Sequence, residues 1–148
     1  MNDTIRRFGH PATLIAEYAH WVVLLRPDQP TLGSLVLAAK SDATAFSALE
    51  PDAFAELATV SWHIESALER AVGYARINYL MLMMVDPHVH FHVLPRYDGS
   101  RSEAGLVVPD KGWPKAPALG DAVALTPAEI DALATWLKGL WPDPTATR

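Results

Sequence analysis

The stretch DPHVHFHVLPRY, residues 86 to 97, sets His88, His90 and His92 on alternate positions, half of the six histidines in the chain. Imidazole can act as a metal ligand, a general acid or base, or a nucleophile near neutral pH. In an extended strand, alternation puts all three rings on one face and Val89, Phe91 and Val93 on the other. The apolar face belongs to the core, so the imidazoles line up on the open face. A solvated face on which histidine merely recurs is a poor account of three in strict alternation.

Metal ligation and phosphoryl chemistry compete for that row. On a straight strand the outer two Cα atoms lie roughly 13 Å apart at ~3.3 Å per residue, which strains shared bonds of ~2.1 Å to one zinc ion. His90 and His92 could still ligate as a pair with Asp86, His63 or His20, although nothing in the spacing of those residues recommends them. Nucleophilic attack on phosphorus uses the whole row. One neutral ring attacks, a hydrogen bond to its second nitrogen aims it, and the flanking rings hold phosphate oxygens or pass a proton to the leaving group.

The rest of the chain has to position these rings. With 148 residues it is about one domain long, and a single domain over 1–148 is expected. Half the residues are apolar, 20% are charged and the formal net charge is −5, which excludes a general affinity for nucleic acid. There is no cysteine, so disulfides, thiolate catalysis and sulfur-rich zinc sites are excluded, and a reducing, cytoplasmic location is the default expectation. The N-terminal stretch lacks the apolar run of a signal peptide, and no segment has the ~20 apolar residues that span a bilayer, so no membrane partner is expected.

Residues 16–27 and 33–40 are rich in β-branched, aromatic and leucine residues and flank the turn chemistry of RPDQPTLG, which predicts neighbouring antiparallel strands. Phe54, Leu57, Ile64, Leu68 and Ala71 recur at helical spacing between Pro51 and Gly73, predicting a helix over 51–72. The runs 77–85 and 88–95, joined by Asp86-Pro87, read as strands, with Met81, Met83 and Met84 in the core. Residues 98–121 read as a mostly irregular excursion with one short strand near 103–108, where Trp113 has nothing to bury it. Thr126, Pro127 and Glu129 open a second helix over 127–141, stopped by Pro142. This order predicts an α+β fold with an antiparallel sheet of about five strands.

The run His88-Val89-His90-Phe91-His92-Val93-Leu94 resembles the histidine triad signature of the HIT superfamily of nucleotide hydrolases and transferases. The glycine-led strand at Gly33, the helix opened by Pro51, Asn78 and Leu94-Pro95-Arg96 extend the likeness over about residues 14–97. The resemblance implies a small domain that dimerises by extending its sheet, needs no cofactor and takes a nucleotide-type small molecule. It implies that His90 attacks the α-phosphorus of a nucleoside phosphate conjugate, such as a dinucleoside polyphosphate or a nucleoside phosphoramidate, to give a nucleotidyl-histidine. His88 would orient His90, His92 would meet phosphoryl or leaving-group oxygens, and Asn78 would place the nucleotide. Ser34, Lys40 and Arg96 are weaker candidates for polar or phosphate contacts. Three positions depart from the family pattern. Ser34 and Ser41 stand where histidines are common, and Met83-Met84-Val85-Asp86-Pro87 stands where a glutamine is common. Asp86 could raise the pKa of a histidine or cap the turn with Pro87. The altered surroundings keep a non-catalytic nucleotide sensor and a metal-binding protein as alternatives.

Overall fold

The computed structural model describes residues 1–147. In chain order the elements are α1 (Asp3–Arg7), β1 (Leu14–Glu17), β2 (Trp21–Leu25), β3 (Asp28–Gln29), β4 (Leu35–Ala39), α2 (Pro51–Val72), β5 (Arg76–Leu80), β6 (His90–Arg96), β7 (Ser100–Glu103), β8 (Leu106–Pro109), β9 (Val123–Ala124) and α3 (Pro127–Leu140). Five strands form one antiparallel sheet in the order β1-β2-β4-β6-β5. The α+β class, the sheet, the long helix and the C-terminal helix are those expected.

Strands β2 (WVVLL) and β4 (LVLAA) are unbroken apolar runs, and every residue in both is buried. Such runs fit a sheet covered on both faces, since a half-exposed strand would alternate. On one face Trp21, Val23, Leu35 and Leu37 meet Val60, Ile64 and Leu68 of α2 and Leu133 and Leu137 of α3. On the other, Val22, Leu24, Val36 and Ala38 meet Ile5 of α1, with Phe8 and Leu14 at the margin.

Five residues of helix are too few to stand alone, since isolated helices shorter than ~12–15 residues are marginal. Tertiary contacts hold α1 in place. Ile5 is fully buried, which contributes about 2 kcal/mol. Asn2 caps the helix by accepting from the Ile5 amide at 3.0 Å and ties it to the sheet by donating to the carbonyls of Ala39 and Ser41.

Pro51 opens α2 and Gly73 closes it in the left-handed conformation at φ 56°. Thr126 and Glu129 form both bonds of a capping box at the start of α3. Gly33, at φ 91°, turns the chain into β4 where a Cβ would stand 3.1 Å from Leu68 Cδ2 of α2.

Several segments differ from expectation. The run 16–27 is two strands, β1 and β2, joined by a tight turn that Tyr18 N closes by donating to Trp21 O at 2.8 Å. Strand β5 ends at Leu80, and Met81 to Val89 form a loop. Leu82, Met84 and Val85 are exposed, Met84 by 85%, so the core role expected for Met84 is wrong, while Met81 and Met83 pack partly against the core. The expected irregular excursion holds the β7–β8 hairpin, turned at Ala104 and Gly105, both at positive φ. Alanine rarely occupies such a turn, so its sequence signal is weak.

Candidate active site

Register decides which side chains face the triad. Strand β6 pairs with β4 so that His90 stands opposite Ala38 and His92 opposite Val36. Both rings therefore lie on the sheet face covered by α1, and they are buried, 2% and 7% exposed. The open face expected from the sequence has a roof. Phe8, just beyond α1, sets its ring centroid 5.5 Å from His90 and 5.7 Å from His92. His88 lies outside the strand and is only partly buried.

The hydrogen bonds fix the protons. His90 Nδ1 lies 2.7 Å from the His88 carbonyl oxygen, which can only accept, so Nδ1 donates. In the neutral ring Nε2 then carries the lone pair. Arg26 Nε donates to His92 Nδ1 at 3.4 Å, and arginine cannot accept, so the neutral His92 ring carries its hydrogen on Nε2. Neighbouring rings in one strand thus have opposite tautomers, one with a free lone pair and one with a free N–H. Burial, followed by the charges of Arg26 and His90, holds the His92 imidazole down to about 4, so it is neutral at pH 7. Thr4 Oγ1 lies 2.9 Å from His88 Nδ1 and ties that ring to α1.

A cavity of about 220 Å³ opens onto His90 and His92. Arg26 and Phe8 line one part, and Leu82, Met83, Met84, Val85 and Asp86 the rest. Two larger hollows, about 380 Å³ beside Tyr18 and Trp141 and about 290 Å³ beside His20 and Lys40, contain no triad histidine. Chemistry and not size therefore selects the site. Asp86 sets Oδ1 3.1 Å from Arg7 Nε, an ion pair too bent for a hydrogen bond to that buried oxygen. The Asp86 charge is thus turned toward α1. Among the described residues no three His, Cys, Asp or Glu side chains are placed to hold one metal ion.

The triad, α1 and the loop before β6 thus make one site, whose signature is shared more widely. A family model of the HIT domain matches residues 8–99. The chain belongs to the HIT family. No curated protein matches it significantly. Among solved structures, a histidine triad protein from Sinorhizobium meliloti is similar at 22% identity and a TM-score of 0.72, covering 95% of each chain. One from Bradyrhizobium japonicum is similar at 19% identity and a TM-score of 0.71, covering 95% of this chain and 96% of that one. One from Marinobacter aquaeolei follows at 18% and 0.69, covering 95% and 94%. At these identities the likeness is one of fold. The HIT family includes hydrolases and transferases as well as members without catalysis.

Within this HIT domain the remaining expected contacts lie elsewhere. Ser34 is fully buried and its hydroxyl donates to Thr31 O at 2.7 Å. Lys40 Nζ binds Glu17 at 2.8 Å and Tyr18 O at 3.0 Å, beside the His20 hollow. Arg96 makes a bidentate pair with Asp110, 2.7 and 3.0 Å, and donates to Asn78 Oδ1 at 2.8 Å. None of Ser34, Lys40, Asn78 and Arg96 lines the triad cavity. Protein partners already engage the side chains of Ser34, Lys40 and Arg96, so a phosphate contact there would compete with these bonds.

Sequence reasoning missed Thr4, Phe8 and Arg26. Arg26 had a signal, since it continues the alternation Val22, Leu24 on the triad face of β2. Thr4 and Phe8 had none, because only the docking of α1 brings them near.

Proposed function

We propose that this HIT protein is a nucleotide hydrolase or transferase that cleaves a nucleoside phosphate conjugate through a nucleotidyl-histidine on His90. One observation carries the reading: Nδ1 of His90 is held by the His88 carbonyl at 2.7 Å, which fixes the ring and leaves Nε2 as the nitrogen that can attack. His92 beside it, with ring centroids 5.1 Å apart, offers Nε2–H to a phosphoryl or leaving-group oxygen. His88 positions His90 through its carbonyl, and Thr4 steadies His88. Asn78, on edge strand β5, keeps a looser claim to nucleotide placement. A nucleotide sensor without turnover would not need the two opposite tautomers, so the enzyme reading is the one the geometry favours.

The expected outcome for His90→Gly is loss of turnover with retained binding of a nucleoside monophosphate. Turnover surviving in that variant contradicts the mechanism. The same reading carries a homodimer through extension of the sheet at β5, which has a free edge. A sedimentation mass of one chain would remove that part. Among the described residues no helix is long and apolar enough to cross a membrane.

A further inference from the structure

We infer that Arg26 is a specificity-determining residue that binds the departing group of the substrate and selects a conjugate whose leaving group is an anion, as in a phosphoanhydride, over one that departs as an amine. This rests on the nucleotidyl-transfer reading of His90.

Three observations support it. Arg26 lines the same cavity as His90 and His92, and its side chain is only 13% exposed. Its guanidinium has five N–H donors, of which Nε is engaged with His92 and one on Nη1 donates to Asp28 O at 2.9 Å. Others remain for a ligand. The Asp28 carboxylate stands 3.9 Å away and is 60% exposed, so it neutralises the cation weakly. The other carboxylate of the cavity, Asp86, is paired with Arg7. The end of the cleft beside His92 therefore carries a positive charge that is only weakly compensated, and the half-buried Phe8 ring lines the cavity beside it.

The bond from Arg26 also restricts what His92 can do. Because Nδ1 accepts from Arg26, His92 has one hydrogen, on Nε2, and a neutral imidazole donates a hydrogen bond without giving up its proton. In the first step the Nε2 lone pair of His90 forms a bond to phosphorus, the bond from phosphorus to the bridging oxygen breaks, and its electron pair leaves on that oxygen. A departing phosphate is stable as an anion, needs no proton, and gains a charged hydrogen bond from Arg26. In the second step water oxygen bonds to phosphorus, the P–N bond breaks, its electron pair returns to His90 Nε2, and the proton of water passes to solvent. An amine leaving a phosphoramidate must gain a proton as its bond to phosphorus breaks, and neither Arg26 nor neutral His92 has one to give.

The experiment compares kcat/KM on a dinucleoside polyphosphate and on a phosphoramidate of the same nucleoside, for the wild type, Arg26→Gln and Arg26→Lys. The wild type should prefer the anhydride. Arg26→Gln should lose roughly 10- to 100-fold on the anhydride, the range of a charged hydrogen bond, and much less on the amidate. Arg26→Lys should keep most of the preference. An equal loss on both substrates, which would place Arg26 on the attacked phosphoryl or in the scaffold, overturns the inference. So does a wild type that prefers the amidate, a measurement that stands even where Arg26→Gln fails to fold. Failure of the wild type to turn over either substrate overturns the underlying reading of His90 instead.

Discussion

At the scale of the residue, three imidazoles of one short run differ because each has a different partner: a hydroxyl for His88, a carbonyl for His90 and a guanidinium for His92. The alternation made the face shared by His90 and His92 legible without any knowledge of neighbours, whereas His88, expected on the same strand, lies in the loop before it. The tautomers were not legible, since they depend on Arg26 and on the His88 backbone, which only the fold brings near. His92 gives a pH prediction with a definite sign. Its folded value of about 4 lies below the ordinary 6.5, so on acidification the unfolded chain takes the proton first. Stability should fall as pH drops from about 6.5 toward 4. A His92→Asn variant should melt with a shallower pH dependence across that window. An unchanged dependence in melting experiments would mean that His92 is not the group responsible.

At the scale of the element, α1 and the loop of residues 81–89 convert a strand face into a cleft. Helix periodicity and caps made α2 and α3 readable, since their apolar stripes and Pro51, Gly73 and Thr126 are local signals. The loop was misread as strand because INYLMLMMV is apolar from Leu80 onward, and apolarity cannot say where a strand loses its partner. Beyond Leu80, paired with His92, no further pairing holds β5 to β6. The role of α1 was invisible, because five residues fixed by tertiary contacts leave no periodic trace. Thr4→Val tests that role. Losing its bond to His88 should cost about 1 kcal/mol and lower kcat by about fivefold with little change in KM. Thr4→Ser should restore kcat. Full activity in Thr4→Val would leave α1 a cover alone.

At the scale of the whole molecule, the sheet is a two-faced layer: α2 and α3 build the larger core on one side, and α1 with the triad occupies the other. The architecture was readable because the strand runs, the helix stripes and the triad agree on one topology. The polar scaffold was not, since Arg96 looks in sequence like a free cation and becomes so only if Asp110, 14 residues later, is elsewhere. Asp110 accepts from Arg96 and also from the amides of Tyr97 and Gly112, locking the end of β6 to the chain beyond the hairpin. Removing one partner strands a buried charge, so Asp110→Ala should destabilise by about 3–5 kcal/mol in denaturant unfolding. The nucleotide KM of the folded fraction should hold. A stable variant with a raised KM would return Arg96 to the ligand.

The covalent step is the centre of the account, and intact mass reads it most directly. Wild-type protein mixed rapidly with a nucleoside phosphate conjugate and quenched in alkaline denaturant, where a P–N bond survives, should gain the mass of one nucleotidyl group. Peptide mapping should place it on His90, and His90→Gly should show none. Turnover by the wild type with no adduct at any mixing time, or an adduct that persists in His90→Gly, contradicts the mechanism.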